Sequence, residues 1–421
     1  MSAGAYRVEP LARRPDATVR VPGSKSLTNR ALVCAAMAEG TSILEGALQA
    51  DDTEAMIASL RALGVRIGGA GATLSVEGTG GEVPPGPADL DARLSGTTSR
   101  FLAPLLAAGA GPYRLDGAPG LRARPMGHLV ESLRRLGSDV VEEGQPGCLP
   151  VTIGGGARGG AVELPGHVSS QFLSGLLLAG PLFPEGVDVT LTSKLVSVPY
   201  VEMTRRVMRA FGAAVEATSV PPGGYAATRY EVEPDATAAS YFFAVAAITG
   251  GRVRVAGLHR DGLQGDLGFV DILERMGARV DWGADGVTVI GPEEGALLRG
   301  ITVDLADLSD TAQTLAAVAV FADSPTVVTG IGFIRRKETD RVADTVRELR
   351  RAGIDATEDD DGFTIRPGSP SPARIETYGD HRMAMSFALL GLTTPGIEIL
   401  DPACVAKTYP DFFADLDQLR Q

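Results

Sequence analysis

Six apolar stretches rich in Ala and Leu run along the chain, and each opens on a small polar residue after a short strand-like segment. The openings are Ser24 in VPGSKSLTNRALVCAAMAEG, Ser95 in RLSGTTSRFLAPLLAAG, Ser169 in GHVSSQFLSGLLLAG, Asp235 in VEPDATAASYFFAVAAITGG, Asp310 in LSDTAQTLAAVAVFADS and Asp380 in YGDHRMAMSFALLGL. Ser and Asp are preferred where a helix begins, because their oxygens accept the first unpaired backbone N–H groups. The pattern predicts six helices opened at these residues. They lie roughly 70 residues apart, the spacing of one supersecondary unit used repeatedly. The repeated element is a helix N-terminus, and such ends attract anions.

A second, amphipathic helix is predicted in each of the first five units, ending at Gly64, Gly137, Gly212, Gly277 and Gly353. Glycine just past the last periodic residue stops a helix, and the β-branched run after it starts a strand. The first of these helices is expected to begin at Asp51, with Glu54 completing a capping box. Each unit reads strand, helix, one or more strands, helix, strand, so the fold class is α/β (α+β). The units divide into two sets of three, placing residues 24–234 in one domain and residues 1–23 plus 235–421 in the other. Two short crossings between the sets imply a hinge, and hinge closure over a ligand excludes water. The Gly- and Pro-rich stretches 70–87, 142–160, 217–228 and 355–372 are expected to be surface loops.

A chain of 421 residues needs more than one core. Aromatic residues make up only 5%, which argues against a base-stacking surface, and the net charge of −13 repels polyanions and anionic membranes. Neither nucleic acid nor membrane is expected as a partner, so any anion must be held by local cations and backbone N–H groups. Cys34, Cys148 and Cys404 are odd in number and far apart. They read as reduced thiols of a cytoplasmic protein, serving as small apolar side chains. Four histidines without paired spacing predict no metal site. No stretch is long enough to span a membrane, and MSAGAYRVEPLARR lacks the apolar core of a signal peptide.

Against this acidic background the cations are oddly placed. Lys25 and Arg30 open the first helix, Arg100 lies early in the second, and His381 and Arg382 open the sixth. Positive charge is disfavoured at the positive end of a helix dipole. A bound anion would outweigh that repulsion, while a solvated helix face is the alternative for any one of them. In the fifth unit, RRKETDRV spaces Lys337, Glu338 and Arg341 at i, i+1 and i+4. Lys337 and Arg341 would then share one face of a helix starting there, an arrangement suited to phosphate or carboxylate. LRARPMGH adds Arg122 and Arg124, with Pro125 compatible with a new helix start, and Lys407 lies between a strand and the last helix.

Together PGSKSLTNRA (22–31), SGTTSR (95–100), RPMGH (124–128), SSQF (169–172), KETDR (337–341), GDHRMAM (379–385) and the AKTYPDFF end resemble the 5-enolpyruvylshikimate-3-phosphate synthases, in order and over nearly the whole chain. The resemblance implies two similar domains, each three copies of a βαβαββ unit, with helix N-termini facing an interdomain cleft. It implies transfer of the enolpyruvyl (carboxyvinyl) group of phosphoenolpyruvate to the 5-hydroxyl of shikimate 3-phosphate, releasing phosphate, with no metal or organic cofactor. The enzyme would serve chorismate and aromatic amino acid biosynthesis as a cytoplasmic monomer and glyphosate target. Both substrates carry a carboxylate and a phosphate, so several negative charges must be desolvated together, and clustered cations answer that need. Addition followed by elimination also needs an acid, a base and fixed geometry.

By this resemblance Lys25, Ser26, Arg30, Ser169, Ser170, Gln171, Ser197, Tyr200, Asp310 and Lys337 bind shikimate 3-phosphate. Lys25, Gly96, Arg124, Gln171, Arg341, Arg382 and Lys407 bind phosphoenolpyruvate, with Lys337 also matching that site. Asp310 contacts the reacting hydroxyl as proton acceptor, and Glu338 and Lys25 are the further catalytic candidates. Glu338 can equally pair with Lys337 or Arg341, and His381 reads as a positioning group. The chain departs from the family pattern at Leu94, often Asn, at Phe101, often Pro or Leu, and at Phe333, often polar. These departures bear on ligand contacts and on the response to glyphosate. Two alternatives stand beside this reading. The UDP-N-acetylglucosamine enolpyruvyl transferases share the fold, but the reactive cysteine usual on their loop has no counterpart in DGAPGLRARP. A non-catalytic hinged anion-binding protein would need the cations and have no use for Asp310 and Glu338.

Overall fold

The computed structural model describes residues 4–420, so residues 1–3 and 421 of the expected second domain lie outside it. Two compact units emerge, Gly23–Glu233 and Met1–Pro22 with Pro234–Gln421.

In the Gly23–Glu233 unit, Thr41–Glu45 pairs in parallel with Arg229–Glu231 and antiparallel with Thr73–Glu77, which Arg66–Ala70 follows antiparallel. Ala110–Asp116 repeats these senses with Ala88–Asp91, Val151–Gly155 and Val140–Glu142. A third sheet sets Gly160–Leu164 parallel to Val187–Leu191. The strands alternate, as in Thr73–Glu77 where Leu74 and Val76 are buried, so each sheet turns one face to the core. The helices Lys25–Met37, Gly96–Ala108 and Ser170–Ala179 are almost wholly buried, and past their polar openings they are apolar on nearly every side.

Two of these helices meet backbone to backbone. Pro104 has no N–H to give the Arg100 carbonyl four residues back. Gly175 of the neighbouring helix sits against that oxygen, and a β-carbon there would lie 2.2 Å from it.

The Met1–Pro22 and Pro234–Gln421 unit uses the same pairing senses. Arg252–Ala256 is parallel to Asp16–Val19 and antiparallel to Gly286–Ile290, and Thr326–Thr329 is parallel to Thr302–Asp304 and antiparallel to Phe363–Ile365. Ile397–Ile399 is parallel to Ala373–Ile375. Around the helices Ala236–Thr249, Ala312–Ala319 and His381–Gly391 lies one continuous apolar core that includes Phe242, Phe387 and Phe412.

Four of the six expected caps form: Ser95, Ser169, Asp235 and Asp380 accept N–H groups of Thr98, Gln171, Ala238 and Arg382. Ser24 precedes its helix without a side-chain capping bond. Asp310 is not a cap: it lies in a 3-10 turn, Ser309–Thr311, and the α-helix starts after Thr311. The Asp51–Ala62 helix follows Ala50, whose N–H is taken by Thr53 Oγ1 at 3.1 Å rather than by Glu54. All five stop glycines adopt positive φ. Thr73–Glu77, which the sequence reads as the strand TLSVEG, falls within the first of the four expected loops; the other three contain the short strands Val151–Gly155, Tyr225–Ala226 and Phe363–Ile365, because two to five paired residues between glycines leave too little alternation to read. No helix among the described residues is long and apolar enough to cross a membrane.

Candidate active site

In the Gly23–Glu233 unit most of the candidate residues gather at the openings of four helices. Lys25 Nζ lies 3.3 Å from Asp52 Oδ2, a nearly buried carboxylate in the first turn of the Asp51–Ala62 helix. Arg30, five residues along the same helix as Lys25, is buried. Its Nε donates to Thr204 Oγ1 (2.7 Å), Nη1 to the Ser26 carbonyl (2.8 Å), and Nη2 to the Tyr200 carbonyl (3.0 Å) and Ser174 Oγ (3.5 Å). Burial lowers its guanidinium to about 10, which still leaves it charged at neutral pH. Arg30 thereby ties Ser26 to Tyr200 of the Val198–Ala210 helix, which Ser197 precedes in a left-handed conformation (φ 53°).

At the second helix, Gly96 is the first helical residue, and a β-carbon there would lie 2.7 Å from Arg100 Nη1 and 2.9 Å from Arg124 Nη2. Only glycine lets two guanidinium groups crowd this helix opening. Arg100 Nη1 donates to Gln171 Oε1 (2.7 Å), whose Nε2 donates to Thr97 Oγ1 (3.2 Å). Gln171 N–H in turn is capped by Ser169 Oγ at 3.3 Å, and Ser170 beside it is buried. Gly96, Arg124, Ser169, Ser170 and Gln171 thus form one neighbourhood, with Arg100 at its centre.

In the other unit the candidates converge on Arg341, which is only 2% exposed. Its Nε donates to Asp380 Oδ2 (2.7 Å), Nη1 to Asp310 Oδ1 (3.2 Å) and Nη2 to Glu338 Oε2 (2.8 Å). Arg382 Nη2 donates to the second Asp310 oxygen at 2.6 Å, and Lys407 Nζ stands 3.9 Å from Glu338 Oε1. Burial alone would pull the Arg341 guanidinium down, but the Asp380 and Glu338 charges outweigh it and hold it above its usual value. Positive charge is locked in here, with carboxylates on every side.

Lys337 does not share a helix face with Arg341. The Asp340 carboxylate accepts the N–H groups of Val342 and Ala343, so the helix begins at Ala343, past both cations. Lys337 lies instead 5.9 Å over the Phe333 ring. Phe101 likewise lies under Arg30, at 5.1 Å, so two of the three departures set an aromatic face beneath a cation. Leu94, the third, is 48% exposed. His381 is buried, with Nδ1 3.5 Å from Asp380 Oδ1. Sequence reasoning overlooked Asp52 and Asp380 as site residues, reading one as part of a helix start and the other as a cap. Only Asp380 left a signal, a carboxylate at a helix start followed directly by His381 and Arg382.

The family model described as EPSP synthase (3-phosphoshikimate 1-carboxyvinyltransferase) matches residues 12–416. The chain belongs to the EPSP synthase family. It is 47% identical to the 3-phosphoshikimate 1-carboxyvinyltransferase of Nostoc sp. strain PCC 7120 over 414 residues, covering 96% of this chain and 97% of that one. The enzyme of the same name from Serratia proteamaculans is 42% identical, with 96% of each covered. Among solved structures, an EPSP synthase from Acinetobacter baumannii superposes with a TM-score of 0.82 at 30% identity, covering 99% of this chain and 98% of that one. The enolpyruvyl transferase NikO from Streptomyces tendae, at 21% identity and a TM-score of 0.76, shares the fold. Membership of the EPSP synthase family favours neither alternative reading, the UDP-N-acetylglucosamine transferase nor the non-catalytic binder.

Proposed function

We propose that the chain transfers the carboxyvinyl group of phosphoenolpyruvate to the 5-hydroxyl of shikimate 3-phosphate and releases phosphate. The observation that carries this beyond family membership is Asp310, a carboxylate gripped by two arginines, Arg341 and Arg382, that are themselves nearly buried. When the phosphate and carboxylate of phosphoenolpyruvate take over those guanidinium groups, Asp310 is released from them and accepts the proton of the attacking hydroxyl. Lys407 and Arg341 then sit on either side of Glu338, which serves with Lys25 as the candidate for moving a proton to and from the methylene carbon.

Lys25, Ser26, Arg30, Ser169, Ser170, Gln171, Ser197 and Tyr200, with Asp310 and Lys337, are assigned to shikimate 3-phosphate. Four of the Arg30 N–H groups already serve protein oxygens, so Arg30 offers its remaining Nη1 hydrogen and the ordering of Ser26 and Tyr200. Lys25, Gly96, Arg124, Gln171, Arg341, Arg382 and Lys407 are assigned to phosphoenolpyruvate. Each fixed cation is pre-oriented, so little reorganisation is needed as charge shifts during addition and elimination.

The test is phosphate release from phosphoenolpyruvate by the pure protein, expected only when shikimate 3-phosphate is present; release without it, or none with it, sinks the assignment. Asp310→Ala is expected to lower turnover by about 10²–10⁴-fold while both substrates still bind. Wild-type turnover in that variant would remove Asp310 from the proton transfer. We also assign the chain to the cytoplasm as a monomer, a reading supported by its three free cysteines and checked by light scattering, which should give a mass near 43.6 kDa.

A further inference from the structure

Glu348 lies in the Ala343–Arg351 helix with a side chain that is 0% exposed, and a buried carboxylate is costly unless its oxygens are occupied. Tyr378 Oη donates to Oε1 at 2.6 Å, while Glu376 N–H (3.0 Å) and Arg351 Nη1 (2.9 Å) donate to Oε2. Two of these three donors belong to the loop that runs into Asp380. That loop turns through left-handed backbone at Tyr378 (φ 55°) and Gly379 (φ 68°), a conformation that a residue with a β-carbon resists. The Arg347 guanidinium also lies 5.7 Å over the Tyr378 ring.

The same two segments are joined at a second point. Asp380 accepts from Arg341 Nε and Nη2, at 2.7 and 3.3 Å. Arg341 is anchored to the start of the Ala343–Arg351 helix, since its carbonyl accepts from Thr345 Oγ1 at 2.6 Å. One bridge, Arg341–Asp380, is in the candidate site; the other, Glu348 with Tyr378 and Glu376, stands behind it. One point of attachment leaves a loop free to pivot, whereas two fix its angle. We propose that Glu348 and Tyr378 are positioning residues that hold the Asp380–Arg341 pair, and with it Arg382, at the angle at which the anion of phosphoenolpyruvate is received. This rests on the function proposed above.

Tyr378→Phe removes one hydroxyl and keeps the ring, so it tests the rear bridge with little threat to folding. The expected result is a KM for phosphoenolpyruvate raised about tenfold with the KM for shikimate 3-phosphate unchanged. A merely structural role would lower kcat with the folded fraction and leave both KM values alone; that result, or equal shifts in both, overturns the proposal. Glu348→Gln combined with Tyr378→Phe should be little worse than the more damaging single change, because both remove one bridge. Fully additive losses would overturn it, and if the double variant does not fold, the Tyr378→Phe comparison decides. Titration calorimetry with phosphoenolpyruvate alone reads the same effect without turnover. A wild-type protein that binds but releases no phosphate would refute the reaction while the calorimetric comparison still judges the clamp. A wild-type protein that does not bind phosphoenolpyruvate either alone or with shikimate 3-phosphate present refutes both.

Discussion

At Arg341 three carboxylates meet one guanidinium in a place where water barely reaches. Taking those charges out of water is expensive, and the mutual contacts offset the cost only while every partner is present. Asp380→Asn leaves the buried Arg341 short of its strongest acceptor, so it is expected to cost about 3–5 kcal/mol in urea unfolding as well as activity. Gly96→Ala acts differently, because the atoms its β-carbon would meet are the far ends of Arg100 and Arg124 rather than backbone. Those guanidinium groups should swing aside, raising the KM for phosphoenolpyruvate about tenfold with little loss of stability. The cations themselves were legible in the sequence, since Lys25 and Arg382 stand out at helix openings and Arg341 in the charged segment RRKETDRV. Their pairing with carboxylates was not, because Asp52 and Asp310 come from other elements and contacts of that kind leave no mark on local spacing.

Among the elements, the helix stops and four of the six caps were readable because they depend on residues within one turn. The 3-10 turn at Asp310 and the late start of the Ala343–Arg351 helix were not. Asp310 is drawn away from capping by Arg341 and Arg382, and Asp340 sets the helix start after the cations that spacing had placed on its face. The crossing of Gly96–Ala108 and Ser170–Ala179 was equally invisible, although Gly175 and Pro104 were both in plain view. A methyl group at 175 would press on the Arg100 backbone, which cannot yield as a side chain can. Gly175→Ala is expected to cost about 1–3 kcal/mol in denaturant unfolding. It should also weaken ligand binding through Arg100, which holds Gln171.

For the whole molecule, the repeated strand–helix pattern pointed to an α/β protein and the net charge to local cation clusters, and the core of each unit follows from its apolar helices. Buried acids of high pKa add a property that composition does not reveal. Burial raises the Cys404 thiol from 9.0 to about 12 and the Tyr241 phenol from 10.0 to about 12, and it raises Cys34, Tyr225 and Tyr230 as well. Above pH 9 the unfolded chain releases these protons while the folded one retains them, so stability must fall from pH 9 toward 12. Arg30 works in the opposite sense only above about 10, where the folded state loses its proton first. Urea unfolding should therefore give a nearly flat free energy between pH 7 and 8 and a clear decline between pH 9 and 10; an unchanged midpoint there would contradict these assignments.

Lys25, Arg341, Arg382 and Lys407 each already face a carboxylate of the chain's own. Each unit therefore presents its cations as exchange sites rather than as open attractors. A stray chloride or sulfate gains little there, because it must evict a resident acid that is fixed in place and better oriented. A ligand succeeds only by replacing several of those acids at once, with its own oxygens in matching positions. Selectivity among small anions then arises from the pattern of substitution, and capture depends less on ionic strength than the number of basic side chains would imply.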